Sequence, residues 1–405
     1  MKNIKKIVIV FFCFLILFCG KKIQINQESL NGSKSTEKAI VDTIKHTTIK
    51  IESDKKVTSQ KSKIIFLEST RGIYLTAYTV SSSKFYSILN SAQAAGINTV
   101  IFDLKNMNGH IFFSIPQKDI LTDEKIKPII NIPKVVKELH MRKMKAVARV
   151  VMFHDQFAAE CDSTLRPLSH SGKYWKESQK RKPSWLDPSN SKVQKELLNI
   201  LKKIAKSGVD EIQLDYIRFP TQGSISDAIF SFQREDSLFA KADSNYILRS
   251  KSDIIEDFII QAKDICSKYN VGLTADVFAI VAWQRKSDIA ATGQDIEKMT
   301  KHLDAIHPMI YSSHFSENFG YREDVSNEPY FIIYKATKLT KKYTEPNCKV
   351  IPYIQANSWK VNYNREYIIS QIKAIENVKS DGYILWNASN RYFSTLSWLK
   401  EYYAD

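Results

Sequence analysis

The stretch that decides the fold is "DEIQLDYIRFPTQG", Asp210–Gly223. Read with period two, Glu211, Gln213 and Asp215 share one face of a strand, and Ile212, Leu214 and Tyr216 share the other. The apolar set belongs against a layer of helices, which sends the polar set into the interior of a sheet closed on itself. Burying polar groups is costly without partners, so this strand serves something besides packing. Asp215 is the last inward residue, where the strand meets Arg218 and a terminating Pro220.

Working outward, short β-rich runs recur along the chain. They are "RGIYLTAYTV" from Arg71, "INTVIFDLKN" from Ile97, "MKAVARVVMF" from Met144 and "VDEIQLDYIRF" from Val209. Four more follow: "VGLTADVFAI" from Val271, "LDAIHPMIYS" from Leu303, "CKVIPYIQA" from Cys348 and "SDGYILWNAS" from Ser380. Amphipathic segments separate them. In "SNSKVQKELLNILKKIAKSG" Val193, Leu197, Leu198, Leu201 and Ile204 fall at helical spacing, after Pro188 and before Gly208. In "NREYIISQIKAIENVKS" Tyr367, Ile368, Ile372 and Ile375 do the same. Strands alternating with helices predict an α/β protein, a (β/α)8 TIM barrel. A doubly wound dinucleotide fold would carry a glycine-rich loop after the first strand; "YLTAYTVSSSK" has none, and the chain holds only 12 glycines.

The amino terminus reads differently. Lys2, Lys5 and Lys6 precede the apolar run Ile7–Phe18, too short for a comfortable membrane span and suited to a signal-peptide core. Cys19 follows at once, as in bacterial lipoprotein signals, where that cysteine is lipidated and begins the mature chain. Cleavage elsewhere, giving a secreted protein, and an uncleaved signal anchor are the alternatives. Residues 20–63 are polar, rich in Lys, Ser and Thr, and without periodicity, which predicts a flexible tether. The expected layout is therefore signal peptide and lipobox 1–19, tether 20–63 and barrel 64–405, with a lipid anchor holding the barrel outside the cytoplasm.

The chain is 43% hydrophobic and 25% charged, as globular proteins are, and its formal net charge is +16. Its lysines are scattered, and no basic run is interleaved with stacking aromatics, so nucleic acid is not an expected partner. Beyond the signal, Cys161, Cys266 and Cys348 form neither a metal-ligand pattern nor a disulfide framework, although one bridge is open to them.

In a barrel the chemistry sits at the C-terminal ends of the strands. Asp215 ends the fourth strand, and Asp276 in "LTADVF" ends the fifth on the same face. Two carboxylates on adjacent strand ends suit glycoside hydrolysis, which uses a proton donor and a nucleophile or base around one bond. Mutual repulsion and desolvation would keep one of them protonated. Asp103 is a third strand-end carboxylate, with Lys105 or Arg149 as its ion-pair partner in the alternative, structural reading. Arg218 is read as the group holding Asp215 ionised, and in the structural reading Asp215 is simply ion-paired with Arg218 or another barrel arginine. Arg149, His154, His307, Tyr311, Gln355, Trp386 and Asn387 also close strands; amides and arginines suit sugar hydroxyls, and flat aromatics suit pyranose faces. Trp283 is a further stacking candidate. His154, His307, Asp103, Asp215 and Asp276 offer a metal-dependent alternative, but the first strand lacks the His-x-His pair of barrel metallohydrolases, so no metal or cofactor is expected.

These segments together resemble a known family. "ARVVMFHDQFAAE" (Ala148), "WLDP" (Trp185), "GVDEIQLDYIRFP" (Gly208), "LTADVF" (Leu273) and "TGQDIE" (Thr292) carry the likeness. So do "HPMIYSSHF" (His307), "EPYFIIYKA" (Glu328), "PYIQA" (Pro352) and "GYILWNASNRY" (Gly382). From Arg71 to Phe393 the chain is similar to the glycoside hydrolase domain family of bacterial secreted proteins, formerly a domain of unknown function. The resemblance implies a TIM barrel of the amylase-like kind. There a carboxylate ending the fourth strand is the nucleophile and one ending the fifth the acid/base, which places these roles on Asp215 and Asp276, an aspartate where related barrels usually have glutamate. The implied partner is a glycan, cleaved by a glycoside hydrolase; a glycan-binding envelope lipoprotein on a non-catalytic barrel is the alternative.

Overall fold

The computed structural model describes residues 69–404. The signal segment, Cys19, the tether and the expected boundaries at 19 and 63 lie outside the described residues. Eight parallel strands close into a barrel: β1 (Thr70–Leu75), β2 (Thr99–Lys105), β3 (Lys145–Val151), β4 (Glu211–Asp215), β5 (Gly272–Phe278), β6 (Ala305–Ile310), β7 (Tyr353–Gln355) and β8 (Gly382–Trp386). Closure is made where β8 pairs with β1, Thr70 facing Gly382 and Ile73 facing Leu385. All eight β-rich runs read from the sequence supply a barrel strand. The run from Cys348 is divided: Lys349–Val350 pairs with β6 first, and Pro352, which has no N–H to give a ladder, separates that pair from β7.

Helices follow the strands: α1 (Lys84–Ala94), α2 (Ile132–Met141), α3 (Ser191–Ala205), α4 (Lys251–Lys268), the short α5 (Ile296–Thr300), α6 (Pro329–Tyr343), α7 (Arg365–Asn377) and α8 (Phe393–Tyr402). The segment read as a helix around Val193 is α3. Asn190 caps it, its side chain accepting from the amides of Lys192 and Val193, and the helix buries Val193, Leu197, Ile200, Leu201 and Ile204. Full burial of one such side chain stabilises by roughly 1.5–3 kcal/mol. Leu201→Ala, which also opens a cavity, would cost about 2–5 kcal/mol.

Two apolar clusters result from the alternation. The large one fills the space between sheet and helices and includes Ile212 and Leu214. The small one lies inside the barrel and includes Tyr74, Ile101, Val147, Tyr353 and Ile384. Gly72 belongs to this tight interior: an added Cβ would meet Ile384 at 3.0 Å and Ile101 at 3.1 Å. Cys161, Cys266 and Cys348 are free thiols, so the bridge left open by the sequence is not formed. Among the described residues no helix is long and apolar enough to cross a membrane.

Candidate active site

A cavity of about 860 Å³ opens at the C-terminal end of the barrel. Strand ends supply Tyr74, Asp103, Arg149, Asp215, Phe278, Met309 and Trp386 to its lining, and loops add Asn106, Asn108, Tyr216, Arg218, Tyr311 and Phe319. The segment 156–182 contributes no residue to this lining.

Arg149 organises the floor. Its Nε donates to Asp215 Oδ2 at 3.0 Å, Nη2 donates to the same oxygen, and Nη1 donates to Asp103 Oδ1 at 2.5 Å. Burial works against this guanidinium's charge, but Asp215 and then Asp103 outweigh it and keep Arg149 charged. Asp215 takes one more bond through Oδ1, from the amide of Tyr216 at 2.6 Å. Tyr74 donates its hydroxyl to Asp103 Oδ2 at 2.6 Å. Burial pushes the Asp103 carboxyl above its ordinary range, with Arg149 opposing.

Asp276 sits just off this lining, fully buried. Gln213 Nε2 donates to its Oδ2 at 2.9 Å and to the Tyr353 hydroxyl at 2.7 Å, while Asp276 Oδ1 has no protein partner among the described residues. Burial and then the charge of Asp215 push its carboxyl well above the ordinary range. Burial and the Asp215 charge thus both favour the protonated form of Asp276, the kind of asymmetry that acid–base chemistry uses. His307 faces Asp276 in the β5–β6 register and is likewise buried. Its Nδ1 donates to the Ile351 carbonyl at 2.8 Å, and burial pushes its pKa down to about 4, so the ring is neutral.

Aromatic rings build the walls. Trp386 stacks on Tyr74 at 4.2 Å between centroids and lies near-parallel to Tyr311 at 6.0 Å. Across the mouth, Arg218 packs its guanidinium over Phe278 at 4.0 Å and Trp185 at 4.5 Å. Flat apolar faces beside carboxylates and guanidinium groups are what a sugar ring with its hydroxyls fits.

The sequence matches, over residues 72–392, the family described as "Putative glycosyl hydrolase domain". The chain belongs to this family. Among solved structures, the glycosyl hydrolase domain shares its barrel with the PgaB (BpsB) glycoside hydrolase domain from Bordetella bronchiseptica. The two are 12% identical with a TM-score of 0.57, over 82% of this chain and 98% of that one. A hypothetical protein from Ruminiclostridium thermocellum is 28% identical over 51% of this chain and 97% of its own, with a TM-score of 0.41. Curated proteins give no match.

The glycosyl hydrolase domain brings six of the residues named from its sequence to or beside one cavity: Asp103, Arg149, Asp215, Arg218, Tyr311 and Trp386 line it. Asp276 and His307 lie in the barrel interior off the lining. His154 does not line the cavity; its Nδ1 bonds the Met107 carbonyl at 2.9 Å and its ring packs edge-on to Trp185. Gln355 donates to the carbonyls of Asn357 and Trp359 and accepts from the Ser313 amide, so it ties loops together. Asn387 does the same through the carbonyls of Ala356 and Arg391. Trp283 does not line the cavity but packs on Phe315 and Phe319, which do.

Local readings are corrected at Arg218 and Tyr216, and the choice left open at Asp103 is decided. Arg218 does not hold Asp215: its Nη1 donates to the Phe219 carbonyl at 3.0 Å, and Asp215 is taken by Arg149 from the neighbouring strand. Asp103 accordingly pairs with Arg149 and not Lys105, which bonds Asp155 at 3.0 Å. Tyr216 does not point to the helices as strict alternation predicts. Its backbone is left-handed, φ 51°, which ends the strand and turns the ring to the cavity. Tyr74 and Phe278 are functional candidates the sequence reading passed over, though each stands two residues from an inward position and the same period-two rule finds them.

Proposed function

We propose that the barrel cleaves a glycosidic bond of a glycan, with Asp215 as nucleophile or charge stabiliser and Asp276 as general acid/base. The observation that carries this reading is the unlike pair at the ends of β4 and β5. Asp215 opens to the cavity and accepts charge-assisted bonds suited to an anion, while Asp276 beside it keeps its proton through burial and the charge of Asp215. In the reaction, Asp276 donates its proton to the leaving oxygen as that bond breaks. Asp215 meets the positive charge developing at the anomeric carbon, by bonding or by electrostatic support. Trp386 and Tyr311 supply flat faces for the ring, and Asp103 and Arg149 supply groups for hydroxyls.

A specific observation favours a second assignment of the acid: Asp103, unlike Asp276, lines the cavity, and its carboxyl is also raised by burial. The two separate in pH–rate profiles on a glycan identified by screening wall and surface polysaccharides with product analysis. A general acid must be protonated, so its loss removes the alkaline limb. Asp276→Asn is expected to lose that limb with most of its turnover, while Asp103→Asn keeps the limb; the reverse result moves the role to Asp103. A glycan bound but never cleaved by the unmodified protein would leave only a binding barrel.

The proposed setting is outside the cytoplasm, with Cys19 lipidated. What supports it is the order of Lys2, Lys5 and Lys6, the apolar run Ile7–Phe18 and Cys19. Cys19→Ala is expected to abolish incorporation of labelled fatty acid and release the protein from the membrane fraction. Unchanged labelling would remove the anchor.

A further inference from the structure

Arg149 and Arg218 both line the cavity, and they use their guanidinium groups differently. Arg149 spends its Nε–Nη2 edge on Asp215 and its Nη1 on Asp103. Arg218 uses Nη1 alone, toward the Phe219 carbonyl at 3.0 Å and, weakly, the Thr221 hydroxyl at 3.5 Å. Its Nε and Nη2 donate to no protein group among the described residues, and no carboxylate lies within ion-pair distance. Yet the side chain is buried, with 6% of its surface exposed.

The guanidinium is largely withdrawn from solvent, and its unused bidentate edge opens only to the cavity, where an anion would offset the cost of burying the charge. Burial pushes its pKa down to about 10, with Tyr216 and Asp215 opposing, so Arg218 stays charged at neutral pH. The geometry also holds it still. Its plane packs over Phe278 at 4.0 Å, Trp185 at 4.5 Å and Tyr216 at 5.4 Å, which hold the fork in place without neutralising it. Held in this way, the Nε–Nη2 edge matches two oxygens of one carboxylate or phosphate, the pairing in which arginine is strongest and lysine is not equivalent.

We propose that Arg218 receives an oxyanion carried by the substrate, so that the barrel's glycan is an acidic one. This rests on the glycan reading above and names the class of glycan. The anion is a sugar carboxylate or a phosphate ester; both offer the two acceptor oxygens that the free edge requires. Placed at Arg218, it lies on the same cavity as Asp215 while the positive charge of the guanidinium shields one from the other.

The test measures binding of matched probes to the purified full chain. The carboxylate arm is oligogalacturonate against the same oligosaccharide with its carboxyls reduced to alcohols; the phosphate arm is glucose 6-phosphate against glucose. The expected result is at least about tenfold tighter binding of the charged member in one arm, and that arm names the source. The ratio should fall to near one in Arg218→Gln and recover only in part in Arg218→Lys, which keeps the charge and loses the fork. No preference in the unmodified protein, or the same ratio in Arg218→Gln, overturns the inference. Should Arg218→Gln fail to fold, the ratio in the unmodified protein decides. It must be present at low salt and still measurable at moderate salt, because a buried pair is screened less than a surface one. The two readings fail separately. Anion preference without cleavage of any glycan leaves Arg218 as an anion site and removes the hydrolase, whereas cleavage of neutral glycans untouched by Arg218→Gln removes the acidic class and leaves the hydrolase.

Discussion

Asp103 and Asp215, on strands that are not neighbours, are joined through one guanidinium: Arg149 on β3 between them donates to both. All three side chains are nearly fully buried. Removing the cation leaves two carboxylates facing each other in a desolvated floor. Arg149→Met is therefore expected to cost about 3–5 kcal/mol, the range for breaking a buried ionic pair from one side. Urea denaturation checks it, and a loss below about 1 kcal/mol would show that the carboxylates do not depend on Arg149.

Asp276 gives a pH signature of its own. Its carboxyl is raised in the folded state, so between the ordinary value of 3.8 and the folded one the folded protein holds a proton that the unfolded chain has released. Stability from this group is complete below pH 3.8 and declines as pH rises through the folded value. Asp276→Asn removes the decline. The variant should gain stability relative to the unmodified protein as pH is raised from 4 to 8, measured by chemical denaturation; parallel curves would contradict a retained proton.

His307 has the opposite sign. Burial lowers it from 6.5 to about 4, against the bond to the Ile351 carbonyl. The unfolded chain binds a proton in that window and the folded protein does not, so stability is full above pH 6.5 and falls toward pH 4. The span corresponds to about 3 kcal/mol. His307→Asn, which can keep a donor toward Ile351, should flatten this part of the stability–pH curve; an unchanged acid slope would assign the loss to other groups.

Gly109 anchors one edge of the cavity, next to the lining residues Asn106 and Asn108. Its φ is +91°, and a Cβ there would stand 2.0 Å from Asp155 Oδ1. Asp155 is fully buried, pairs with Lys105 and Lys125, and caps the short helix Gln156–Cys161 through the Ala158 amide. Gly109→Ala is expected to cost more than about 2 kcal/mol, since strain and a displaced buried charge add. Gly172→Ala is the control: φ is +78° with nothing near the added carbon, so strain alone, about 1 kcal/mol, should appear. Equal losses in the two variants would show that Asp155 yields freely.

Much of this was legible because period two carries over directly into a closed sheet. Glu211, Gln213 and Asp215 alternate with Ile212 and Leu214, and the structure separates the same residues into interior and helix-facing sets. What sequence does not encode locally is lateral register. Arg218, three residues from Asp215, looked like its partner; Arg149, distant in sequence and opposite Gln213 in the β3–β4 register, reaches Asp215 diagonally. Loop geometry was equally hidden. Gln355 and Asn387 stand at strand ends like ligand-binding amides, but the adjoining turns leave backbone carbonyls that use their donors first. Tyr216 breaks the alternation through a single left-handed residue, which no composition signal announces.

The central claim is that Asp215 does the chemistry at this mouth. Turnover of the screened glycan should be compared between the unmodified protein and Asp215→Asn, with melting curves to show that both are folded. The account predicts a loss of about a thousandfold or more in kcat in a folded variant, the scale expected when a group acting mainly in the transition state is removed. A folded Asp215→Asn protein that cleaves the same glycan at an unchanged rate would contradict it.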